Sequence, residues 1–120
     1  MAAAPDDHAT FALSWREGWV VLTVAGEIDF VSAPSLTRYL NAAINLHSPP
    51  LIAVDLSQLA FCDSSALREF VIAWKRIGLA HGRMVMLNPT CGVAGLLHIT
   101  GLDRALDIHT ALPDHPAWPS

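Results

Sequence analysis

Leu51-Ile52-Ala53-Val54-Asp55-Leu56-Ser57 runs on through Gln58-Leu59-Ala60 into Phe61-Cys62-Asp63-Ser64-Ser65-Ala66-Leu67. Four consecutive apolar residues, Leu51 to Val54, predict a strand of the kind covered on both faces by helices. Asp55 to Asp63 reads as a loop, after which the periodicity changes to that of a helix. Leu67, Phe70, Val71, Trp74, Ile77 and Gly78 make one face of that helix, and Arg68, Glu69, Lys75 and Arg76 take much of the other. The junction carries three small polar residues in a row, Asp63-Ser64-Ser65. A turn of this kind sets side-chain oxygens beside the unpaired N–H groups of a first helical turn. It can cap the helix, hold an anion or offer a serine for chemistry.

Working outward, the upstream chain has two β-rich runs, Thr10 to Trp15 and Trp19 to Ala25, across Arg16-Glu17-Gly18. That pattern predicts a hairpin, whose second strand breaks at Gly26-Glu27-Ile28-Asp29-Phe30. Ser32 is placed as an N-cap and Pro34 in a first helical turn. Leu36, Leu40, Ala43, Ile44 and His47 continue at helical spacing until Pro49-Pro50. Downstream, His81-Gly82 ends the second helix and Arg83 to Leu87 is the next strand. Asn88-Pro89-Thr90 turns the chain into a short helix with Val93, Leu96 and Leu97 inward, closed by Thr100-Gly101. Ala105 to His109 is a last short strand.

The order β, β, α, β, α, β, α, β predicts an α/β fold, a small sandwich with helices packed on a mixed, mostly parallel sheet of about four to five strands. The opening hairpin supplies an antiparallel edge. The expected organisation is a flexible N-terminus over residues 1–9, a domain over 10–111 and a Pro-containing tail over 112–120.

Composition narrows the function classes. A chain of 120 residues with 52% hydrophobic and 15% charged residues is one domain able to bury a core. The formal net charge of -4, with no basic stripe, argues against direct nucleic-acid binding. No apolar run approaches the ~18 residues of a membrane span, so no membrane insertion is expected. The N-terminal residues have neither the basic nor the apolar region of a signal peptide, and a cytoplasmic location is expected. Cys62 and Cys91 have no metal or redox spacing and read as buried small apolar residues. The scattered histidines show no i, i+4 pair or facing cysteine, so no metal site is expected. No Gly-rich nucleotide loop is present. Catalysis by Ser64 would want flanking glycines and a marked histidine base, and Cys62-Asp63-Ser64-Ser65-Ala66 has neither. The chain is therefore not expected to be an enzyme, and no cofactor is called for.

Three ordered motifs carry a family resemblance. Gly26-Glu27-Ile28-Asp29 resembles the G-E-[LI]-D element of the STAS domain, named for sulfate transporters and anti-sigma factor antagonists. Asp55-Leu56-Ser57 followed by Phe61-Cys62-Asp63-Ser64-Ser65-Ala66-Leu67 resembles that family's D-L-S and F-x-D-S-S-G-L signature. Asn88-Pro89, Val93, Leu96-Leu97 and Thr100-Gly101-Leu102 are similar to its closing pattern. The likeness spans roughly Thr10 to Ala111. A free-standing domain with an intact Asp-Ser-Ser resembles the bacterial anti-sigma factor antagonist in particular.

That resemblance implies a partner switch. Unphosphorylated, the protein would bind an anti-sigma factor that is also an ATP-dependent serine kinase, and so free a sigma factor. Phosphorylation of Ser64 would dissociate the complex, and a phosphatase would reset it. By position, Asp63 and Asp29 would flank the phosphorylated hydroxyl, and Ser65 would be the adjacent turn or cap residue. Two departures stand out: Ala66 replaces the glycine after Ser-Ser, and Arg68 stands where a small residue is common. Arg68 bears on which kinase docks, or pairs with a phosphate on Ser64. The alternative within the same fold is an accessory STAS subunit of a membrane transport complex, docking on its ATPase.

Overall fold

The computed structural model of the chain describes residues 8–114. Its first two strands, β1 (Ala9–Arg16) and β2 (Trp19–Ile28), form the expected antiparallel hairpin. Glu17 and Gly18 both take positive φ, 52° and 87°, the geometry of a two-residue turn whose twist matches that of its strands. Ala9, expected in the flexible terminus, is already the first buried residue of β1.

The sheet then grows by parallel additions. β3 (Leu51–Cys62) pairs with β2, β4 (Arg83–Leu87) with β3, and β5 (Asp107–His109) with β4, in the order β1-β2-β3-β4-β5. Between the strands lie α1 (Ala33–Ile44), α2 (Ser64–Leu79) and α3 (Cys91–Ile99). A 3-10 turn over Leu102–Arg104 precedes β5, which is therefore shorter than the Ala105–His109 strand read from the sequence. α1 closes at Ile44, so His47 lies beyond it and is exposed.

The segment expected as a loop is strand. Asp55 to Cys62 continues β3 alongside β2 through two irregularities in register: Thr23 pairs with Asp55 but Ala25 with Gln58, and Gly26 pairs with Leu59 but Glu27 with Phe61. At each, β3 holds one residue more than β2, which is a bulge. The buried side chains accordingly fall at Val54, Leu56, Leu59 and Cys62. Their spacing widens from two to three, hiding the strand from a reading based on alternation. Asp55 braces the first bulge by accepting the Ser57 N–H at 3.0 Å.

The helices cover one face. Val20, Leu22, Ile52, Val54, Met84 and Met86 meet Leu36 and Leu40 of α1, Phe70 and Ile77 of α2, and Val93 and Leu97 of α3 in one cluster. The intervening residues, Trp19, Val21, Leu51, Ala53, Val85 and Leu87, form a second cluster on the opposite face. The continuous apolar run in β3 thus does report two buried faces, but among the described residues no helix joins the second cluster. Leu112 packs there instead, and the Trp19 indole N–H donates to the Pro113 carbonyl at 3.2 Å. Leu112 and Pro113, assigned to a loose tail, are part of the packed structure; residues 1–7 and 115–120 lie outside the described ones.

Gly26 shows why the first motif begins with glycine. Its φ is +91°, and a Cβ there would sit 2.1 Å from the His8 carbonyl oxygen. The same carbonyl accepts the Glu27 N–H at 3.0 Å, so the close approach is used to fasten the start of β1.

Candidate functional site

β2 and β3 end side by side, and this brings the two acidic motif positions to one edge of the molecule. The Asp63 N–H donates to the Ile28 carbonyl at 3.1 Å, which sets the β3–α2 junction against the β2–α1 junction. Each junction is then organised by its own aspartate.

Asp63 is the N-cap of α2. Its backbone is extended (φ -105°, ψ -172°), and its Oδ1 accepts the N–H groups of Ser65 at 2.9 Å and Ala66 at 3.4 Å. The expectation that Ser65 caps the helix is corrected. A capping side chain must come from the last non-helical residue to reach the second and third helical N–H groups, and Ser64 and Ser65 already have helical positions. Neither serine hydroxyl takes part in a hydrogen bond among the described residues; Ser64 is exposed and Ser65 half-buried. Asp63→Ala is therefore expected to cost about 1 kcal/mol of stability, whereas Ser65→Ala costs only a few tenths. Urea denaturation of the two variants measures this, and the reverse order would return the cap to Ser65.

Asp29 has a comparable local task. Its Oδ1 accepts the N–H groups of Val31 at 3.0 Å and Ser32 at 3.2 Å, while its own N–H donates to Ser32 Oγ at 3.0 Å. These bonds hold its carboxyl below the usual carboxylate range, the Ser32 N–H being the largest cause and outweighing the opposing effect of burial. Ser32 does occupy the N-cap position of α1, with Pro34 in the first turn, but its hydroxyl serves this turn and not the helix N–H groups.

Two grooves flank the Asp63–Ser64 step. One, of about 770 Å³, lies between the first turns of α1 and α2, where Ser64, Ser65 and Arg68 face Phe30, Thr37 and Arg38. Glu69 also lines it and accepts the Thr37 hydroxyl at 2.7 Å. The other, of about 280 Å³, lies between the end of β3 and α3, with Phe61, Cys62 and Asp63 on one side and Gly92, Val93 and Leu96 on the other. Ser64 and Asp63 thus stand on the ridge between them. Of the five residues singled out in the sequence, the larger groove gathers Ser64, Ser65 and Arg68, while Asp63 faces the smaller one. Asp29 lines neither groove.

Two apolar residues lining these grooves carried no assigned role in the sequence: Phe30 is 73% exposed and Phe61 53%; Val31, next to Phe30 in the chain, is 45% exposed. Phe61 stood in the quoted signature without a role of its own, and the signal of Phe30 was an apolar residue directly after Asp29. Cys62 is buried as expected, and its thiol is pushed up to about 11 by burial and by the neighbouring Asp63 carboxylate. Cys91 is exposed at the start of α3, contrary to the reading that both cysteines are buried.

Comparison with known proteins fits this geometry. The STAS domain model matches residues 11–115. The chain belongs to the STAS domain family. A crystal structure of an anti-sigma factor antagonist from Mycobacterium paratuberculosis superposes with a TM-score of 0.79 at 30% identity, covering 92% of each chain. The anti-sigma-F factor antagonist RsfB of Mycobacterium tuberculosis is 26% identical over 93% of this chain and 89% of its own length. The anti-sigma-B factor antagonist of Listeria monocytogenes is 29% identical over 71% of this chain and 74% of its own. The five-stranded mixed sheet with three helices is the fold of such antagonists, and these relatives support a general role in sigma-factor regulation. Among the described residues, no helix of this STAS domain is long and apolar enough to cross a membrane.

Proposed function

We propose that this protein is an anti-sigma factor antagonist acting in the cytoplasm by partner switching. Unphosphorylated, it binds an anti-sigma factor that is itself a serine kinase, and a sigma factor is released. The kinase transfers the γ-phosphoryl group of ATP to Ser64 Oγ: the new O–P bond forms as the bond to the β-phosphate oxygen breaks, ADP leaves, and the hydroxyl proton passes to a base of the kinase. A phosphatase hydrolyses the ester and restores binding.

The single observation that carries this reading is the free, exposed Ser64 hydroxyl at the first position of α2. Because Asp63 does the capping, Ser64 can be esterified without taking a bond away from the fold. A phosphate brings a charge of about -1.5 to -2, set down close to Phe30 and Phe61, exposed apolar side chains that line the two grooves beside the Asp63–Ser64 step. A partner packed on those side chains against a neutral hydroxyl then meets a strongly hydrated dianion. The switch therefore works at the surface, and the core of the domain stays as it is.

The experiment is incubation of the protein with the candidate anti-sigma kinase and ATP, followed by mass-spectrometric mapping of the phosphate. A single phosphate on Ser64, absent from Ser64→Ala, is the expected result. Co-purification with a transporter ATPase, with no phosphate ever found on Ser64, would replace this reading by that of an accessory transport subunit.

A further inference from the structure

Phosphorylated Ser64 poses a charge problem that the helix does not solve. The N–H groups of Ser65 and Ala66, which a phosphate at a helix start would use, are already taken by Asp63 Oδ1. The acidic groups at hand add to the difficulty. Asp63 adjoins Ser64, Glu69 lines the same groove, and Asp29 sits at the adjoining β2–α1 junction, where it is bonded to Val31 and Ser32.

Two cations line the groove beside Ser64. Arg68 follows it by four positions on α2, the spacing at which helix side chains are neighbours on one face. Arg38 comes from the facing wall on α1. Neither has an acidic partner among the described residues: Arg68 forms no hydrogen bond or ion pair, and Arg38 donates only to Ser35 Oγ, at 2.9 Å. A guanidinium fork matches phosphate oxygens in pairs.

We propose that Arg38 and Arg68 form an intramolecular clamp that takes the phosphate of phosphorylated Ser64, joining the N-terminal halves of α1 and α2 across the groove. This rests on the reading of Ser64 as the phosphoacceptor. The clamp sets how the modified state is held: the ester lies in the groove with its oxygens paired, and the charge of both arginines is committed to it.

The test needs no kinase. The full chain is made with phosphoserine incorporated at position 64 during translation, and the second ionisation of the phosphate is followed by phosphorus NMR across a pH titration. In the otherwise unaltered protein the midpoint is expected about one unit below the ordinary value of about 6. With Arg38→Gln and Arg68→Gln combined it should return to the ordinary value or above, because Asp63 and Glu69 then act unopposed. Each single substitution should recover part of the shift, and Arg68→Lys should keep most of it. Amide spectra of the same samples show that the fold is retained. Equal midpoints with and without the arginines would overturn the clamp while leaving the partner switch standing. A kinase that leaves Ser64 unmodified would overturn the switch and leave this titration unaffected.

Discussion

Phosphorylation of Ser64 is expected to weaken binding to the anti-sigma kinase by about 100-fold, and Ser64→Asp by about 10-fold, while Ser64→Ala binds and cannot be switched off. The larger figure corresponds to about 2.8 kcal/mol. It follows from a doubly charged group, even one paired with Arg38 and Arg68, having to be desolvated in an interface built partly on the exposed apolar side chains of Phe30 and Phe61. Aspartate falls short for two reasons. It has a single charge, and its carboxylate lies nearer the backbone than a phosphate would. Calorimetry or surface-based kinetics on the three proteins gives the comparison, with the loss appearing chiefly as faster dissociation. If Ser64→Asp and the phosphorylated protein both bind as tightly as the unmodified chain, charge at this position is not the switch.

The second large effect belongs to the core. Phe70 is 1% exposed, in the cluster where α2 meets the inner face of the sheet. Phe70→Ala is expected to cost about 3–5 kcal/mol, a large share of the ~5–15 kcal/mol that holds a typical domain together. The loss should show as a lower midpoint in urea with a nearly unchanged slope. A cost under about 1.5 kcal/mol would mean that the site collapses around the smaller side chain. The contrast with Ser64 is informative. Ser64 lies on the same helix, six residues earlier in sequence order, yet Ser64→Ala should leave stability almost unchanged because its hydroxyl bonds to nothing among the described residues.

The parts of the fold legible in the sequence were those with a local cause. Arg16-Glu17-Gly18 announces the hairpin because Gly18 suits the positive φ found there, and α2 announces itself by the spacing of Leu67, Phe70 and Ile77. The second half of β3 was missed because its two bulges replace alternation by a spacing of three, at Leu56, Leu59 and Cys62. The run Leu51 to Val54 told of two buried faces but not what would cover them; that depended on Leu112 and Pro113, far along the chain.

The site divides in the same way. Asp63-Ser64-Ser65 marked the strand-to-helix boundary, but three adjacent residues able to cap leave the helix start uncertain by one or two positions. That margin is the difference between a serine cap and an aspartate cap. Ser64 and Arg68 could be related by helical spacing alone. Arg38 could not, since only the packing of α1 against α2 brings it to the same groove.

The order β1-β2-β3-β4-β5 has a consequence for how the protein is made. Each strand pairs with the one synthesised just before it, so no strand has to wait for a distant partner to leave the ribosome. The sheet can lengthen strand by strand as the chain emerges, with α1, α2 and α3 closing successive crossovers over its inner face. Sequence-local pairing lowers the loop-closure entropy of each step and favours rapid folding for a sheet that is mostly parallel. At the final step the chain reaches back to its first hairpin, when Pro113 meets the Trp19 indole.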